Sequence, residues 1–282
     1  MKYLLLITGS PRSGTTWFHN ALILSGVFNG VPADDYMDKS YVTESLYTDE
    51  FYPSIAPAIY WLYRKNPLSR LRYLISLNAT IRRLYKRFRQ GDRLMLKAPH
   101  YVFGLGLYNS LFKDRLRIIF VYRDPFEVAW SMFNFPHIRS QVEKDINNCT
   151  DFVVYRNGRS ISLPLIWARS DVLEEVKATW YELSLVERCL FVWHLYANAF
   201  LSNYSKLKGA VLVVDYYRLN EERKIRRLAD FVETPISRLS FLRSDFEPSR
   251  RKAISLESLS EAGKSAWKKM ECIKLELDRM CV

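Results

Sequence analysis

Residues 3–18, YLLLITGSPRSGTTWF, carry the strongest structural signal in the chain. An apolar run of strand length leads into a turn flanked by Gly9 and Gly14, and a stretch without helix breakers follows. This succession predicts a buried strand, an anion-binding loop and a helix that begins near Thr15. The backbone N–H groups of residues 13–16 would converge at the positive end of that helix, so the loop is expected to hold an anion.

The loop differs from that of a nucleoside-triphosphate enzyme. The pattern G-x-x-x-x-G-K-[ST] places a lysine after the second glycine, whereas Thr15 and Thr16 follow Gly14 directly in this chain. The nearest cation is Arg12, which lies inside the loop and can contact a bridging oxygen of the anion. Trp17 follows the loop, where its ring can face a nucleotide base. The missing lysine favours an anion with a shorter chain than a triphosphate.

Three further apolar runs repeat the pattern of a short strand followed by turn residues and a longer helical segment. They are RLMLK at 93–97, LRIIFVY at 116–122 and AVLVVD at 210–215. Repeated strand–helix units predict an α/β fold, a single three-layer domain in which helices flank a central, mainly parallel sheet. In such sheets ligands bind at the carboxyl ends of the strands, and charged or polar residues stand at that end of each run.

Composition agrees with this fold and narrows the choice of partner. The chain has 282 residues, of which 49% are hydrophobic, as expected for a folded protein with a substantial core. Its formal net charge of +12 favours an anionic partner, such as a nucleotide, a polyanionic substrate, a nucleic acid or a membrane surface. The four cysteines and four histidines lack paired or metal-ligand spacing, so we expect free thiols and no metal. The short first apolar run suits neither a signal sequence nor a membrane span, which favours a soluble, cytoplasmic protein.

The string PRSGTTW resembles the 5′-phosphosulfate loop of sulfotransferases that use 3′-phosphoadenosine 5′-phosphosulfate (PAPS). This resemblance implies the P-loop-like sulfotransferase fold, with PAPS as co-substrate, 3′-phosphoadenosine 5′-phosphate (PAP) as product and no metal. It also implies nucleotide-binding roles for the residues of the loop, which are Arg12, Ser13, Gly14, Thr15, Thr16 and Trp17.

A second motif, IIFVYRDPFEVAWSMF, resembles the element with which this family holds the 3′-phosphate. Arg123 stands at the end of the apolar run, and Ser131 follows two helical turns later. Pro125 suits the first turn of a helix, so this helix would carry Ser131 while Arg123 pairs with a dianionic phosphate. The alternative is a local ion pair between Arg123 and Asp124.

A third motif, LMLKAPHYVFGL, supplies catalytic candidates. Lys97 resembles the lysine that contacts the leaving phosphosulfate, and with Arg12 it would stabilise charge there. His100 is a candidate general base because an imidazole can accept a proton near neutral pH. Its position three residues after Lys97 resembles the bacterial and Golgi-type branch more than the cytosolic branch. The rival bases are Asp34, Asp35, Asp38 and Glu44.

The last apolar run and a basic segment near the C-terminus resemble the family less specifically. Tyr216 follows the last apolar run and resembles the tyrosine near the adenine, with Tyr217 as the alternative if the alignment slips by one residue. Asp215 resembles a Walker B carboxylate and supports an alternative, a P-loop kinase or NTPase. Three basic residues could clamp the 3′-phosphate or belong to a surface loop, namely Arg250, Arg251 and Lys252.

The resemblance implies in-line transfer of a sulfuryl group from PAPS to a hydroxyl, or secondarily an amine, of a carbohydrate, lipid or small molecule. Residues 1–282 would form one domain with helical acceptor-side insertions at about 30–92 and 137–208. The basic helix 70–89 could contact a membrane surface or a polyanion, and no nucleic-acid partner is expected. The other class of alternative is a non-catalytic anion-binding module.

Overall fold

The computed structural model describes residues 3–28, 93–97, 99–143, 152–156, 159–163, 180–239, 242 and 254–281. Its strands are Tyr3–Gly9 (β1), Arg93–Lys97 (β2), Leu116–Tyr122 (β3), Phe152–Arg156 (β4), Arg159–Leu163 (β5) and Ala210–Asp215 (β6). Its α-helices are Thr15–Leu24 (α1), Leu105–Phe112 (α2), Pro125–Phe133 (α3), Pro136–Glu143 (α4), Leu185–Tyr204 (α5), Glu222–Phe231 (α6) and Glu261–Met280 (α7).

Four strands form a parallel sheet in the order β2-β1-β3-β6, whereas β4 and β5 pair as a separate antiparallel ribbon. The four predicted strands are confirmed, and only β1 differs, by extending one residue further to Gly9. The register places Ile7 beside Lys97 and Tyr122 beside Asp215. The carboxyl ends of the strands therefore meet at one edge of the sheet, and the α/β fold expected from the sequence is confirmed.

Two hydrophobic clusters cover the two faces of this sheet. Side chains alternate along a strand, so Leu4 and Leu6 of β1 belong to the cluster formed with α2, α3, α5 and α7. Leu5 and Ile7 belong to the cluster formed with α1 and α6. The strands have apolar residues on both faces because both faces are covered by helices. The result is a three-layer arrangement of helices, sheet and helices.

Hydrogen bonds connect the amino ends of β2 and β3 to the C-terminal end of α6. Arg93 donates a hydrogen bond to the carbonyl oxygen of Val232 at 3.1 Å, and Arg117 donates to that of Phe231. Arg117 also pairs with Glu233. Cations at a helix C-terminus satisfy its last carbonyl groups and oppose its dipole. The two arginines therefore fix α6 at the edge opposite the carboxyl ends of the strands.

A buried histidine on α5 makes stability depend on pH. His194 is 6% exposed and packs against Phe191, with ring centroids 5.6 Å apart. Burial lowers the pKa of His194 to about 4, because the cation would lose its hydration. The unfolded chain therefore binds a proton below about pH 6.5 that the folded chain does not bind, so stability falls as the pH drops through this window.

We expect the variant His194→Gln to lose less stability on acidification than the wild-type protein. When the pH is lowered from about 7.5 to about 5.5, the free energy of unfolding of the wild-type protein should fall by about 1 kcal/mol more than that of the variant. Urea denaturation of both proteins at the two pH values measures it. Identical pH dependence in the two proteins would contradict a neutral, buried His194.

The described ranges contain no group of three or more His, Cys, Asp and Glu side chains that could hold a metal ion. None of their helices is both long enough and apolar enough to cross a lipid bilayer. Cys189, Cys272 and Cys281 are free thiols. Burial raises the pKa of Cys189 to about 12, so this thiol stays protonated and packs as an apolar side chain.

Candidate functional site

The loop between β1 and α1 depends on two glycines that have no room for a side chain. A Cβ added at Gly9 would lie 2.5 Å from the carbonyl oxygen of Val121 and 2.7 Å from Ser13 Oγ. Gly14 has a left-handed φ of 98° and precedes the first residue of α1. A Cβ added there would lie 2.4 Å from Cδ2 of Tyr216. The glycines therefore let the loop pass close to β3 on one side and to an aromatic ring on the other.

The conformation of the loop suits an anion. Arg12 has a φ of 66°, a left-handed value that is uncommon outside glycine and concentrates at functional sites. The N–H of Ser13 donates to the carbonyl oxygen of Ser10 at 3.1 Å, whereas Ser13 Oγ is buried with no hydrogen-bond partner in the described part of the chain. The helix α1 begins at Gly14 without a side-chain cap. A polar oxygen without a partner and an uncapped helix N-terminus are both suited to bind an oxyanion.

The two arginine-bearing motifs meet at this loop. Arg12 Nε donates to Ser131 Oγ at 3.3 Å, although 119 residues separate them in the sequence. The guanidinium of Arg12 also lies 4.8 Å from the ring centroid of Phe135, just after α3. Ser131 is buried on α3, as the spacing from Arg123 predicts for the helix that begins at Pro125.

Arg123 follows the last residue of β3, and a tyrosine and a glutamate hold its guanidinium. Nε donates to Tyr217 Oη at 2.8 Å, and both Nε and Nη2 lie 3.3 Å from Glu127 Oε2. The alternative reading of the sequence paired Arg123 with Asp124, but Asp124 instead caps α3 by accepting N–H groups of its first turn. The ion pair of Arg123 is therefore with Glu127, one helical turn along α3.

An aromatic pair connects the loop to Arg123. The rings of Trp17 and Tyr216 meet edge to face, with centroids 5.8 Å apart. The Tyr216 ring lies against Gly14 and 5.2 Å from the guanidinium carbon of Arg123. Burial raises the pKa of Tyr216, and the positive charges of Arg123 and Arg12 lower it in part. Tyr216 thus lies between the glycine of the loop and Arg123.

Lys97 and a buried histidine lie on the other side of β1. Lys97 is 3% exposed at the end of β2. Burial and the positive charge of Lys97 lower the pKa of His19 on α1 to about 4, so this imidazole is neutral at neutral pH. Thr8 Oγ1 donates to the carbonyl oxygen of Pro99 at 2.8 Å, which fixes the turn after Lys97. His100 belongs to the 3₁₀ helix Pro99–Gly104, and its side chain lies outside the described part of the structure.

Comparison with known proteins gives the family. The model of the sulfotransferase domain matches residues 4–271, which is nearly the whole chain. The chain belongs to the sulfotransferase domain family. No curated protein sequence matches this sulfotransferase significantly.

Two of the solved structures that match this chain are themselves sulfotransferases. One is the sulfotransferase domain from the curacin biosynthetic pathway, with a TM-score of 0.52 and 16% identity over 99% of this chain and 98% of that chain. The other is the sulfotransferase STF9 from Mycobacterium avium, with a TM-score of 0.48 and 13% identity over 98% of this chain and 76% of that chain. At 16% identity the likeness to the curacin domain concerns the fold alone.

Asp215, the candidate metal-binding carboxylate at the end of β6, accepts a local hydrogen bond from the backbone that follows it. The strand β3 lies between β6 and β1, which carries the loop. Asp215 Oδ1 accepts the N–H of Tyr217 at 2.9 Å and caps the 3₁₀ helix Tyr216–Arg218. Burial raises the pKa of Asp215, and the nearby cations Arg218 and Lys224 lower it in part. Asp215 of this sulfotransferase therefore has a local structural role.

Sequence reasoning missed the roles of three side chains of this sulfotransferase site, which are His19, Glu127 and Tyr217, although Tyr217 was named as the alternative to Tyr216 near the adenine. Glu127 carries a signal in hindsight, since it follows Arg123 by four residues on a predicted helix. The other two depend on contacts between distant segments. Several predicted residues lie outside the described ranges, namely Asp34, Asp35, Asp38, Glu44, Arg250, Arg251, Lys252 and the helix 70–89.

Proposed function

We propose that this protein transfers a sulfuryl group from PAPS to a hydroxyl group of an acceptor. One observation carries the proposal: Arg12 of the loop donates a hydrogen bond to Ser131 on α3, while Tyr216 lies against Gly14 of the loop and 5.2 Å from the guanidinium carbon of Arg123, so the two motifs meet beside one aromatic ring. A nucleotide with an anion on its 5′ side and another on its 3′ carbon needs two such cations with an aromatic surface close by. Family membership supports the reaction class.

The residues of the loop fit the 5′-phosphosulfate. Arg12, the hydroxyl of Ser13 and the uncapped start of α1 supply a cation, a side-chain oxygen without a partner and backbone donors. Gly14 lets the chain approach the nucleotide closely, while Thr15 and Thr16 begin α1 with two further hydroxyl groups.

The remaining nucleotide-binding residues fit the 3′-phosphate and the base. Arg123 at the end of β3 and Ser131 on α3 would hold the 3′-phosphate. Trp17 and Tyr216 offer aromatic surface to the adenine. The 3′-phosphate is the group that distinguishes PAPS from other adenine nucleotides, so Arg123 should decide the selectivity of the site.

In the reaction, PAPS supplies an activated sulfuryl group, and the protein has to stabilise the charge that grows on the leaving phosphate. Lys97, Arg12 and the loop N–H groups would do this, at about 3 kcal/mol for each well-placed donor. The acceptor also has to lose a proton. His100 would take it, with the carboxylates Asp34, Asp35, Asp38 and Glu44 as rivals.

The proposal extends to the acceptor, the partners and the cellular location. We propose an acceptor hydroxyl on a carbohydrate, a lipid or a small molecule, with an amine as the second choice, in a cytoplasmic reaction that needs no metal. The basic segment 70–89, which the sequence predicts to be helical, would attract an anionic acceptor or a membrane surface. No nucleic acid is required by this reaction.

We expect the variant Arg123→Ala to bind PAP at least about tenfold more weakly than the wild-type protein, because a buried charge-assisted contact to the 3′-phosphate is lost. Isothermal titration calorimetry of PAP without added metal measures this. Adenosine 5′-phosphosulfate, which lacks the 3′-phosphate, should bind weakly and almost equally to both proteins. The matched control is Arg226→Ala, which removes the cation of an exposed (i, i+4) pair with Glu222 and should leave PAP affinity unchanged.

Three outcomes would contradict the proposed function. Absence of PAP binding would remove the nucleotide on which the mechanism depends. Preference for ATP with magnesium over PAP would instead support a kinase or NTPase, the alternative that Asp215 suggested. Binding of PAP followed by no transfer to any acceptor in a broad screen of alcohols, phenols, sugars and amines would favour a non-catalytic anion-binding module.

A further inference from the structure

Arg123 is oriented by contacts on one edge of its guanidinium. Its side chain is 11% exposed. The shortest hydrogen bond joins Nε to Tyr217 Oη at 2.8 Å, and the weaker contacts to Glu127 Oε2 are 3.3 Å from both Nε and Nη2. In the described part of the chain, the Nη1 group makes no hydrogen bond. The guanidinium therefore uses its Nε edge for the protein and keeps its Nη1 edge for another acceptor.

The two adjacent tyrosines have different contacts. Tyr216 lies against Gly14 and Trp17, on the side of the loop. Tyr217 directs its hydroxyl to Arg123, with its ring centroid 5.2 Å from the guanidinium carbon. The N–H of Tyr217 donates to Asp215 at the end of β6, so the backbone that carries this hydroxyl is itself fixed. The position of the hydroxyl is thus tied to the sheet.

We propose that Tyr217 is a positioning residue for Arg123: its hydroxyl accepts the Nε–H and so turns the Nη1 edge toward the 3′-phosphate of the nucleotide. The inference rests on the proposed function, since it assigns Arg123 to that phosphate. A guanidinium binds phosphate well only when its planar edge is correctly oriented. Glu127 holds the same Arg123 from α3 and adds a negative charge, whereas Tyr217 orients it without any repulsion of the phosphate.

The test is Tyr217→Phe, which removes one oxygen and keeps the ring. We expect PAP affinity to fall about tenfold, as for a hydrogen bond to a charged group, while adenosine 5′-monophosphate affinity changes less than about twofold. In an Arg123→Ala background, Tyr217→Phe should cost no further PAP affinity, because the two residues act through one contact. The matched control is Tyr204→Phe, which removes the hydroxyl of an exposed tyrosine on α5.

The outcomes separate this inference from the proposed function. If the wild-type protein prefers PAP to adenosine 5′-monophosphate and Tyr217→Phe leaves that preference unchanged, the inference is wrong and the proposed function stands. Equal loss of affinity for both nucleotides would also overturn it, since it would indicate general damage to the site. If the wild-type protein shows no preference for PAP, the proposed donor is wrong and the inference falls with it.

Discussion

Replacing Glu187 with alanine is expected to lower the free energy of unfolding by about 3 kcal/mol. The carboxylate caps two helices at once. Oε2 accepts hydrogen bonds from the N–H and hydroxyl of Ser184 at 2.7 and 2.8 Å, at the start of α5. Oε1 accepts those of Ser260 at 2.7 and 2.8 Å, at the start of α7. Because Glu187 is 3% exposed, water cannot easily replace the lost acceptor.

Urea denaturation at neutral pH measures this effect. Glu187→Gln keeps one acceptor oxygen and places an amide against donors, so it should lie between the wild-type protein and the alanine variant. The matched control is Glu222→Ala, which breaks an exposed pair with Arg226 and should cost about 0.5 kcal/mol or less. A loss below about 1 kcal/mol for Glu187→Ala would show that the double cap contributes no more than one ordinary cap.

The stabilisation that the Glu187 carboxylate provides should decrease as the pH falls. Burial raises the pKa of Glu187, but the hydrogen bonds from Ser184 and Ser260 outweigh burial and hold the pKa below its ordinary value. An acid with a lowered folded-state pKa stabilises the fold above its unfolded pKa, and this contribution is lost as the pH falls. The free energy of unfolding of the wild-type protein should therefore exceed that of Glu187→Gln by less in acid than at neutral pH.

Replacing Lys97 with methionine is expected to slow sulfuryl transfer by about 100-fold or more, the effect of losing one strong donor to the transition state. Methionine is unbranched like lysine and only one heavy atom shorter, and it suits the buried end of β2, so the fold should survive. Because the proposed contact of Lys97 with the leaving oxygen would be strongest where charge develops in the transition state, PAP affinity should change only about threefold. The rate should thus fall far more than binding.

The measurement is single-turnover release of PAP from PAPS, without added metal, with an acceptor found by screening alcohols, phenols, sugars and amines. The matched control is Lys206→Met, a change at an exposed lysine just after α5, which should leave the rate unaltered. A Lys97→Met variant that transfers sulfuryl groups at the wild-type rate would remove Lys97 from the catalytic residues.

The sheet could be predicted from sequence because each strand is a short apolar run bounded by polar or turn residues. Burial on both faces demands such runs, and they leave little freedom in where a strand ends. The loop was equally readable, because Gly9 and Gly14 mark the points where the backbone needs close approach or a positive φ. These local signals were enough to predict that the carboxyl ends of the strands meet and that Arg12 and Arg123 lie near them.

The contacts that complete the site could not be predicted in the same way. Tyr217 lies 94 residues from Arg123 in the sequence, and Ser260 lies 73 residues from Glu187. From the sequence, Tyr216 was the candidate for the adenine and Tyr217 only the alternative. In the structure the Tyr216 ring packs against Gly14 of the loop, whereas the hydroxyl of Tyr217 accepts a hydrogen bond from Arg123. Only the packed tertiary structure determines such pairings.

The contact between Gly14 and Tyr216 has an evolutionary consequence. The aromatic ring fills the volume that a side chain at position 14 would need, so position 14 has to stay glycine while Tyr216 stays. A larger residue at position 14 would require a smaller one at position 216, and the backbone would still have to accept a left-handed φ. As this lineage diverges, the glycine of the first motif is therefore expected to persist wherever the tyrosine after the last strand persists.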